Sequence, residues 1–385
     1  MNKLEYYGIR GQALDIFTSY LSDRRQFVQI DTQRSRLRKS LDCSVIQGSK
    51  LSGLLYTLYT NEIPLLHTLM DREIYTKLTQ QDTTKVKDIN HATVNFVDDS
   101  TNIISTSNTK TIEEYLNKFY KLLEAVYNIN KLKINKDKTE LLIVCKPKYR
   151  KDTKNIQMMA SGHKVKQVSK AKILGYTLSN NLNHDKHISA LTANINNRLY
   201  NIRKITHNTT FKARKILTKA IVIGKMNYCL PLLCNARKDQ LTDLNTLVMK
   251  SCRTIMGSQC PGWRNDRLLD KCSMPSIYQS INNQALNYIH RLQSTKMPNA
   301  LYTMYRVPAR AQRTTHTLRP IYAPKTKKLK ASLFFKYTII YNQLPHAFKE
   351  LPKVKFKRQI KVYIRDNKEY HTIPDTSTGD SDESE

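Results

Sequence analysis

The chain has 385 residues, with 64 Lys and Arg against 31 Asp and Glu, and therefore a formal net charge of +33. Such an excess of positive charge argues against an ordinary metabolic enzyme and favours a polyanionic partner, above all nucleic acid. Hydrophobic residues make up 40% of the chain, which excludes wholesale disorder, while no run of about 18 apolar residues predicts a membrane span. The seven cysteines include no CxxC pair and no Cys–His finger spacing, so free thiols are expected rather than structural zinc.

The first part of the chain mixes predicted helices and strands. Apolar residues at helical spacing predict helices, and short alternating or apolar runs predict strands. The helices are expected at 13–21, 51–63 and from Thr111 onward, and the strands at 26–31, 93–97, 103–104, 141–144 and 173–178. Ser49 is expected to cap the second helix, and Thr111 to form a capping box with Glu114. The polar stretch from about 71 to 90 is expected to be a loop.

Beyond about residue 188 the predicted strands become sparse. Helices are expected at 187–204, 210–223 and 241–255, the last ended by Gly257. Residues 306–369 contain 17 Lys and Arg against 3 acids, with aromatic residues among them. These aromatics are Phe334, Phe335, Tyr337, Tyr341, Phe348, Phe356 and Tyr363. They fit either base stacking beside phosphate-binding cations or a helix core beneath a basic face. The acidic residues from 376 onward predict a disordered tail.

The clearest chemical signal is the segment Phe96-Val97-Asp98-Asp99-Ser100, predicted at a turn between two strands. Adjacent carboxylates on a tight turn offer oxygen ligands to hard divalent cations. Nucleotidyl transfer uses two such cations about 3.5–4 Å apart. An Asp-Asp pair in a loop is more often a solvated turn, so the segments around it decide how it is interpreted.

Six sequence blocks around this turn occur in one order. They are KLEYYGIRG at 3–11, SYLSDRRQFV at 19–28, QGS at 47–49 continuing to NEIP at 61–64, FVDD at 96–99, N-x-x-K-T at 135–139, and ILG at 173–175. Together they resemble the reverse transcriptases of non-LTR, LINE-type retrotransposons, of the jockey-like and chicken-repeat-like groups. A weaker resemblance continues through MNYC at 226–229 and KRQIKVY at 357–363. The resemblance covers most of the chain.

The resemblance implies a reaction and its site residues. Asp98 would coordinate catalytic magnesium, and Asp99 would assist there or hold the turn. The other implied residues bind template, primer or nucleotide. They are Gln47, Gly48 and Ser49 under the nascent base pair, Lys138 near the incoming triphosphate, Leu174 and Gly175 at the primer end, and Arg24 and Arg25, which would bind substrate or template.

The implied fold is α+β. It consists of a partial right-hand palm at 1–188, whose antiparallel sheet carries the carboxylates, a helical thumb at 189–260, a basic region at 261–370 and an acidic tail at 371–385. The implied partners are an RNA template, a DNA primer, deoxynucleoside triphosphates and two magnesium ions. No membrane role is expected, and the implied location is intracellular, in the nucleus at the site of action.

Several positions depart from the family pattern. Ser44 and Ile46 stand where the family usually has Gly and Pro, Gly53 where it often has Pro, and Val97 where it more often has Ala. The family's first catalytic Asp precedes the block that starts here at Lys3, so we expect an incomplete metal site and no measurable primer extension. The alternative is a catalytically inert nucleic-acid-binding remnant of such an element, and a basic scaffold unrelated to polymerases is a third hypothesis.

Overall fold

The computed structural model describes residues 1–36, 38–39, 45–46, 48–66, 89–107, 109–160, 162–306, 318–320 and 326–373. The chain forms two compact units, Met1–Ile173 and Leu174–Glu385. Helices and small, mostly antiparallel sheets are mixed, in agreement with the α+β class. Within the described residues, none of the helices combines the length and the apolar character that a membrane crossing requires.

The first unit contains short helices and two-stranded sheets. Its described helices are α1 (Asn2–Tyr6), α2 (Gln12–Leu21), α3 (Ser52–Tyr59), α4 (Thr109–Ile129) and α5 (Arg150–Thr153). Its described strands are β1 (Arg25–Gln26), β2 (Gln29–Ile30), β3 (Gln33–Arg34), β4 (Arg38–Lys39), β5 (Asn90–Phe96), β6 (Asp99–Ser105), β7 (Glu140–Leu142), β8 (Met159–Ala160), β9 (His163–Lys164), β10 (Lys166–Val168) and β11 (Lys170–Ile173). The pairs β1–β4, β2–β3, β5–β6 and β8–β9 are antiparallel, whereas β7 and β10 are parallel.

The core of the first unit forms around α4. Its residues Tyr115, Phe119 and Leu123 are buried with Ile63 and Leu66, and their spacing of four residues places them on one side of the helix. The predicted capping box is wrong, because α4 already begins at Thr109 and Thr111 therefore lies inside the helix. The predicted cap at Ser49 is also wrong, since Leu51 occupies the N-cap of α3 and no side chain caps that helix.

Two predicted strands are divided in the structure. The segment 26–31 contributes to β1 and β2, and all four residues of these strands are exposed, so its alternation does not mark a buried face. Asp31 has a φ of 53° and starts the tight turn between β2 and β3. The segment 173–178 is likewise interrupted, because β11 ends at Ile173 and the next strand begins at Tyr176.

The second unit is largely helical. Its described helices are α6 (Asp185–Lys204), α7 (Phe211–Leu217), α8 (Gly224–Met226), α9 (Lys238–Met256), α10 (Asn265–Cys272), α11 (Ile277–Thr295), α12 (Asn299–Tyr302), α13 (Lys327–Lys330), α14 (Leu333–Gln343), α15 (His346–Lys349) and α16 (Lys353–Asp366). A π-helical segment, Thr218–Ile223, joins α7 to α8. The strands are β12 (Tyr176–Ser179) and the antiparallel pair β13 (Tyr305–Arg306) and β14 (Arg319–Pro320). As predicted, α9 ends at Gly257, whose φ is 65°.

One hydrophobic core extends through the second unit. Its buried residues run from Ile188 to Tyr370 and come chiefly from α6, α9, α11, α14 and α16. Tyr337, Tyr341 and Phe356 are fully buried in it, so base stacking by these aromatics is wrong and the core interpretation is confirmed for them. The regions expected at 189–260 and 261–370 therefore contribute helices to one hydrophobic core.

Candidate active site

The Asp98-Asp99 segment forms the end of a regular hairpin. β5 and β6 pair from Asn90 opposite Ser105 to Phe96 opposite Asp99, which leaves Val97 and Asp98 as a two-residue turn. The predicted strand–turn–strand arrangement is confirmed, although Asp99 already belongs to β6. Val97 has a φ of 55°, a left-handed conformation that is unfavourable for a β-branched side chain.

The hairpin has an inner and an outer face. Residues of β5 alternate between exposed and half-buried, and the inner face packs toward α4 through His91, which contacts Phe119 with ring centroids 4.4 Å apart. The outer face is apolar and exposed, with Val94 at 55%, Phe96 at 60% and Ile103 at 56% of their full accessibility. Asp98 and Asp99 are exposed at the tip of this two-sided hairpin.

Two tyrosines lie close to the carboxylate turn. Burial raises the pKa of Tyr56, and the Tyr127 phenol and the Asp98 carboxylate raise it further. Burial also raises the pKa of Tyr127, whose hydrogen bond with Ser100 opposes that effect. Both phenols therefore stay neutral at physiological pH, so Asp98 has uncharged hydroxyl groups near it. No spacing rule in the sequence indicates this proximity, since α3, α4 and the hairpin meet only in the folded unit.

Asn95, next to the turn, has an unsatisfied side-chain oxygen. Asn95 stands opposite Ser100 in the ladder, and within the described chain its Oδ1 is buried without a hydrogen-bond donor. An unsatisfied buried acceptor costs about 1–3 kcal/mol. The acceptor lies on the inner side of the hairpin, one ladder position from the pair formed by Phe96 and Asp99, so it does not share the exposed side of the carboxylates.

A polar cluster joins α1 to the ends of α3 and α4. Lys3 Nζ donates to Glu62 Oε1 at 2.5 Å, to the Tyr59 carbonyl oxygen at 2.5 Å and to Asn130 Oδ1 at 2.6 Å. Asn130 Nδ2 donates to Glu62 Oε1 at 3.1 Å, and the Tyr59 hydroxyl donates to the Asn130 carbonyl at 2.6 Å. Burial disfavours the Glu62 carboxylate, but the bonds from Lys3 and Asn130 outweigh it and lower its pKa. The KLEYYGIRG and NEIP blocks are thus in direct contact.

A second cluster lies at the start of α3. Tyr20 donates a hydrogen bond of 2.6 Å to Ser49 Oγ. Hydrogen bonds with Ser49 and Ser52 lower the pKa of Tyr20, and the positive charge of Arg24 adds a smaller effect in the same direction. Gly48 beside them has a φ of 84°, which glycine adopts without strain. Ser49 and Arg24, both implied to bind substrate or template, therefore both act on Tyr20. The implied residue Gln47 lies outside the described residues.

Lys138 and Arg25 are each placed by local structure. Asn135 Oδ1 accepts from the backbone amides of Asp137 and Lys138, at 3.1 and 3.3 Å, and so caps the short helical turn Lys136–Lys138. Lys138 is exposed, and among the described residues neither a hydrogen bond nor an ion pair joins it to Asp98 or Asp99. Arg25 is exposed in β1, opposite Lys39.

Leu174 and Gly175 form a turn in the second unit. Their φ values are 46° and 84°, a combination typical of tight type I′ turns. The Tyr228 hydroxyl donates to the Leu174 carbonyl oxygen, and a Cβ on Gly175 would lie 3.5 Å from Tyr228 Cε1. The hydrogen bond between Tyr228 and Leu174 therefore joins the ILG block to the MNYC block, across 54 residues of chain. Nothing in the sequence of either block predicts this contact.

The donor set of the turn fits magnesium only in part. Asp98 and Asp99 supply two hard oxygen donors, which is the chemistry that magnesium prefers. Across the described ranges, no group of three or more His, Cys, Asp or Glu side chains could hold a metal ion. With these two carboxylates as its protein ligands, a magnesium ion at the turn would keep most of its water ligands.

No protein-family model matches this chain. No curated protein sequence matches it either.

Proposed function

We propose that this chain carries the palm and thumb region of a LINE-type reverse transcriptase, an RNA-directed DNA polymerase that adds deoxynucleotides to a primer 3′-hydroxyl. The observation that supports the proposal is the meeting of separate resemblance blocks within the first unit. Lys3 contacts Glu62, Tyr20 contacts Ser49, and the charge of Asp98 acts on Tyr56. The first two contacts join blocks that are 59 and 29 residues apart in the chain, as a site assembled from these blocks requires.

Each residue has a defined task in the proposed reaction. Asp98 and Asp99 would hold magnesium, which when bound activates the primer hydroxyl and neutralises the departing pyrophosphate. The neutral Tyr56 adds no negative charge beside Asp98, so the carboxylates keep their attraction for the cation. Gly48 and Ser49 would support the template–primer pair, and Lys138 would bind the nucleotide phosphates. RNA template, DNA primer and nuclear action belong to the same proposal.

The metal site is tested by iron-directed cleavage, which does not depend on catalysis. Ferrous ion replaces magnesium in carboxylate sites, and with ascorbate and peroxide it cuts the nearby backbone. Cuts are expected around 95–100, and Asp98→Asn with Asp99→Asn should abolish them. The matched control Asp137→Asn, also an exposed Asp beside a turn, should leave them unchanged. Cleavage that persists in the double variant would contradict the metal site.

Primer extension separates the polymerase from the inert binder. The 385-residue chain is assayed with magnesium, an RNA template and a DNA primer. Extension that is lost in Asp98→Asn supports the polymerase. Tight RNA binding without extension favours the catalytically inert remnant, which the net charge of +33 also accommodates.

A further inference from the structure

A two-stranded β-ribbon in the first unit is exposed along its length. The ladder of β2 and β3 continues to Val28 and Ser35, where the Ser35 amide donates to the Val28 carbonyl and the Val28 amide to Ser35 Oγ, both at 2.9 Å. β1 then pairs with β4 beyond this point. Residues 25–36 are all exposed, and residues 24–39 contain six Lys and Arg against one acid. The ribbon is therefore a basic surface that the core of the unit does not use.

The two faces of this ribbon differ in chemistry. Side chains alternate between the faces along a strand, and residues opposite each other share a face. Gln29 stands opposite Arg34, and Phe27 lies two residues before Gln29, so these three residues form one face, here called the arginine face. The exposed apolar side chains of Val28 and Ile30 lie on the other face. A polar ligand is therefore expected on the arginine face.

Two neighbours hold the guanidinium group of Arg34 in place. Its Nε donates to Gln29 Oε1 at 2.8 Å, and its central carbon lies over the Phe27 ring, 5.2 Å from the ring centroid. Gln29 is itself oriented, because its Nε2 donates to the Asp31 carbonyl oxygen at 3.0 Å. A hydrogen bond and a cation–π contact on the same group restrict its rotation. Binding through this guanidinium therefore costs less conformational entropy than binding through an unsupported arginine.

The terminal amino groups of Arg34 indicate which ligand it fits. Within the described residues, no hydrogen bond or ion pair engages its Nη1 or Nη2. The guanidinium therefore keeps donors for a ligand that has two neighbouring acceptors. In the major groove of DNA, guanine presents O6 and N7 side by side, whereas adenine and cytosine present an amino donor.

We propose that the arginine face reads guanine in the major groove of duplex DNA, with Arg34 as the residue that contacts the base. A two-stranded β-ribbon fits the B-form major groove, which is about 12 Å wide, but not the deep and narrow major groove of double-stranded RNA. The six basic residues of 24–39 favour a nucleic acid over a protein as the partner. The proposal goes beyond polymerase activity, because it assigns base-specific recognition to residues outside the carboxylate turn.

The test removes one acceptor atom from the DNA and leaves the charge of the DNA unchanged. The full chain is bound to a mixed-sequence duplex of about 20 base pairs, and to the same duplex with every guanine replaced by 7-deazaguanine, which lacks N7. Affinity is measured in EDTA at about 250 mM salt, where non-specific phosphate contacts are weakened. The guanine duplex should bind about five- to tenfold more tightly. Equal affinities for the two duplexes would overturn the proposal.

Two conservative variants assign the preference to one arginine. Arg34→Lys keeps the positive charge but loses the planar fork of donors, so it should bind both duplexes equally, with an unchanged slope of log affinity against log salt. The matched control is Arg36→Lys, because Arg36 is an exposed arginine two residues further along, and it should retain the guanine preference. Retention of the preference in Arg34→Lys, or its loss in Arg36→Lys, would contradict the assignment. Thermal unfolding confirms that both variants remain folded.

Further measurements separate the groove from other ways of binding. Phe27→Leu should reduce the guanine preference without changing the salt slope, because Phe27 only orients the guanidinium. Val28→Thr with Ile30→Thr, on the other face, should leave the preference intact, and a loss confined to that variant would overturn the proposed face. A 7-deazaguanine effect in the single strand but not in the duplex would overturn docking in the groove.

These outcomes are independent of the proposed polymerase. The binding measurements contain EDTA and no nucleotide, so they do not depend on magnesium or on the carboxylate turn. A failed primer extension leaves the guanine preference testable by itself. Equal affinities for the two duplexes likewise leave the cleavage and extension experiments unaffected.

Discussion

Arg214 connects three chain segments of the second unit, and its replacement gives the sharpest stability prediction. Its Nε donates to the Ile255 carbonyl at 2.8 Å, and its Nη1 donates to the carbonyls of Thr206 and Thr209 at 3.0 and 2.8 Å. Ile255 lies in the last turn of α9, where carbonyl groups lack helical partners. The guanidinium therefore satisfies acceptors that the helix itself leaves open.

The expected cost of Arg214→Met follows from these three bonds. Hydrogen bonds to charged groups contribute about 1.5–3 kcal/mol each, but water can reach part of this half-buried site after the change. We therefore expect a loss of about 2–4 kcal/mol in the free energy of unfolding. The loss of stability for Arg214→Lys should be smaller than that for Arg214→Met but still measurable. An ammonium group can still donate to the carbonyls, but it reaches fewer of them than the planar guanidinium does.

Arg203→Met is the matched control, since Arg203 is exposed and donates one bond, of 3.1 Å, to Thr254 Oγ1. It should cost about 0.5–1 kcal/mol. Urea unfolding, followed by circular dichroism and analysed at equal m-values, measures both changes. A cost for Arg214→Met below about 1 kcal/mol, or no larger than that of Arg203→Met, would refute the reasoning from hydrogen-bond number.

Three further predictions concern backbone strain and protonation. Val97→Gly should stabilise the hairpin by about 1 kcal/mol in urea unfolding, because it relieves the left-handed turn, and a loss of stability would show that the turn is unstrained. Gly257→Ala should destabilise by about 1 kcal/mol or more, since its φ is 65°, and an unchanged urea midpoint would contradict this. Burial lowers the pKa of His184 and of His187 below 6.5. As the pH falls below 6.5, the unfolded chain therefore takes up protons before the folded chain does, and the stability that these neutral histidines contribute at higher pH is lost. The urea midpoint should therefore be lower at pH 5.5 than at pH 7.5, and the difference should shrink in the double variant His184→Gln with His187→Gln; an equal difference in the variant would contradict the assignment.

Much of the local structure could be predicted from the sequence because it depends on neighbouring residues. The periodicity of α4, the end of α9 at Gly257 and the acidic turn between β5 and β6 are all encoded within short windows. The failures also have local causes. Thr111 has the chemistry of a cap, but α4 begins two residues earlier, and competing N-terminal positions cannot be ranked from one sequence.

The sequence by itself determined the charge of the chain, the carboxylate pair and the order of its blocks. Tertiary structure decided which distant groups meet: Lys3 with Glu62, Tyr20 with Ser49, and Tyr228 with Leu174. It also decided that the aromatics of α14 and α16 face a core instead of solvent. The physical reason is that periodicity identifies the side of a helix or strand that is apolar, whereas its packing partner depends on contacts across the whole folded unit.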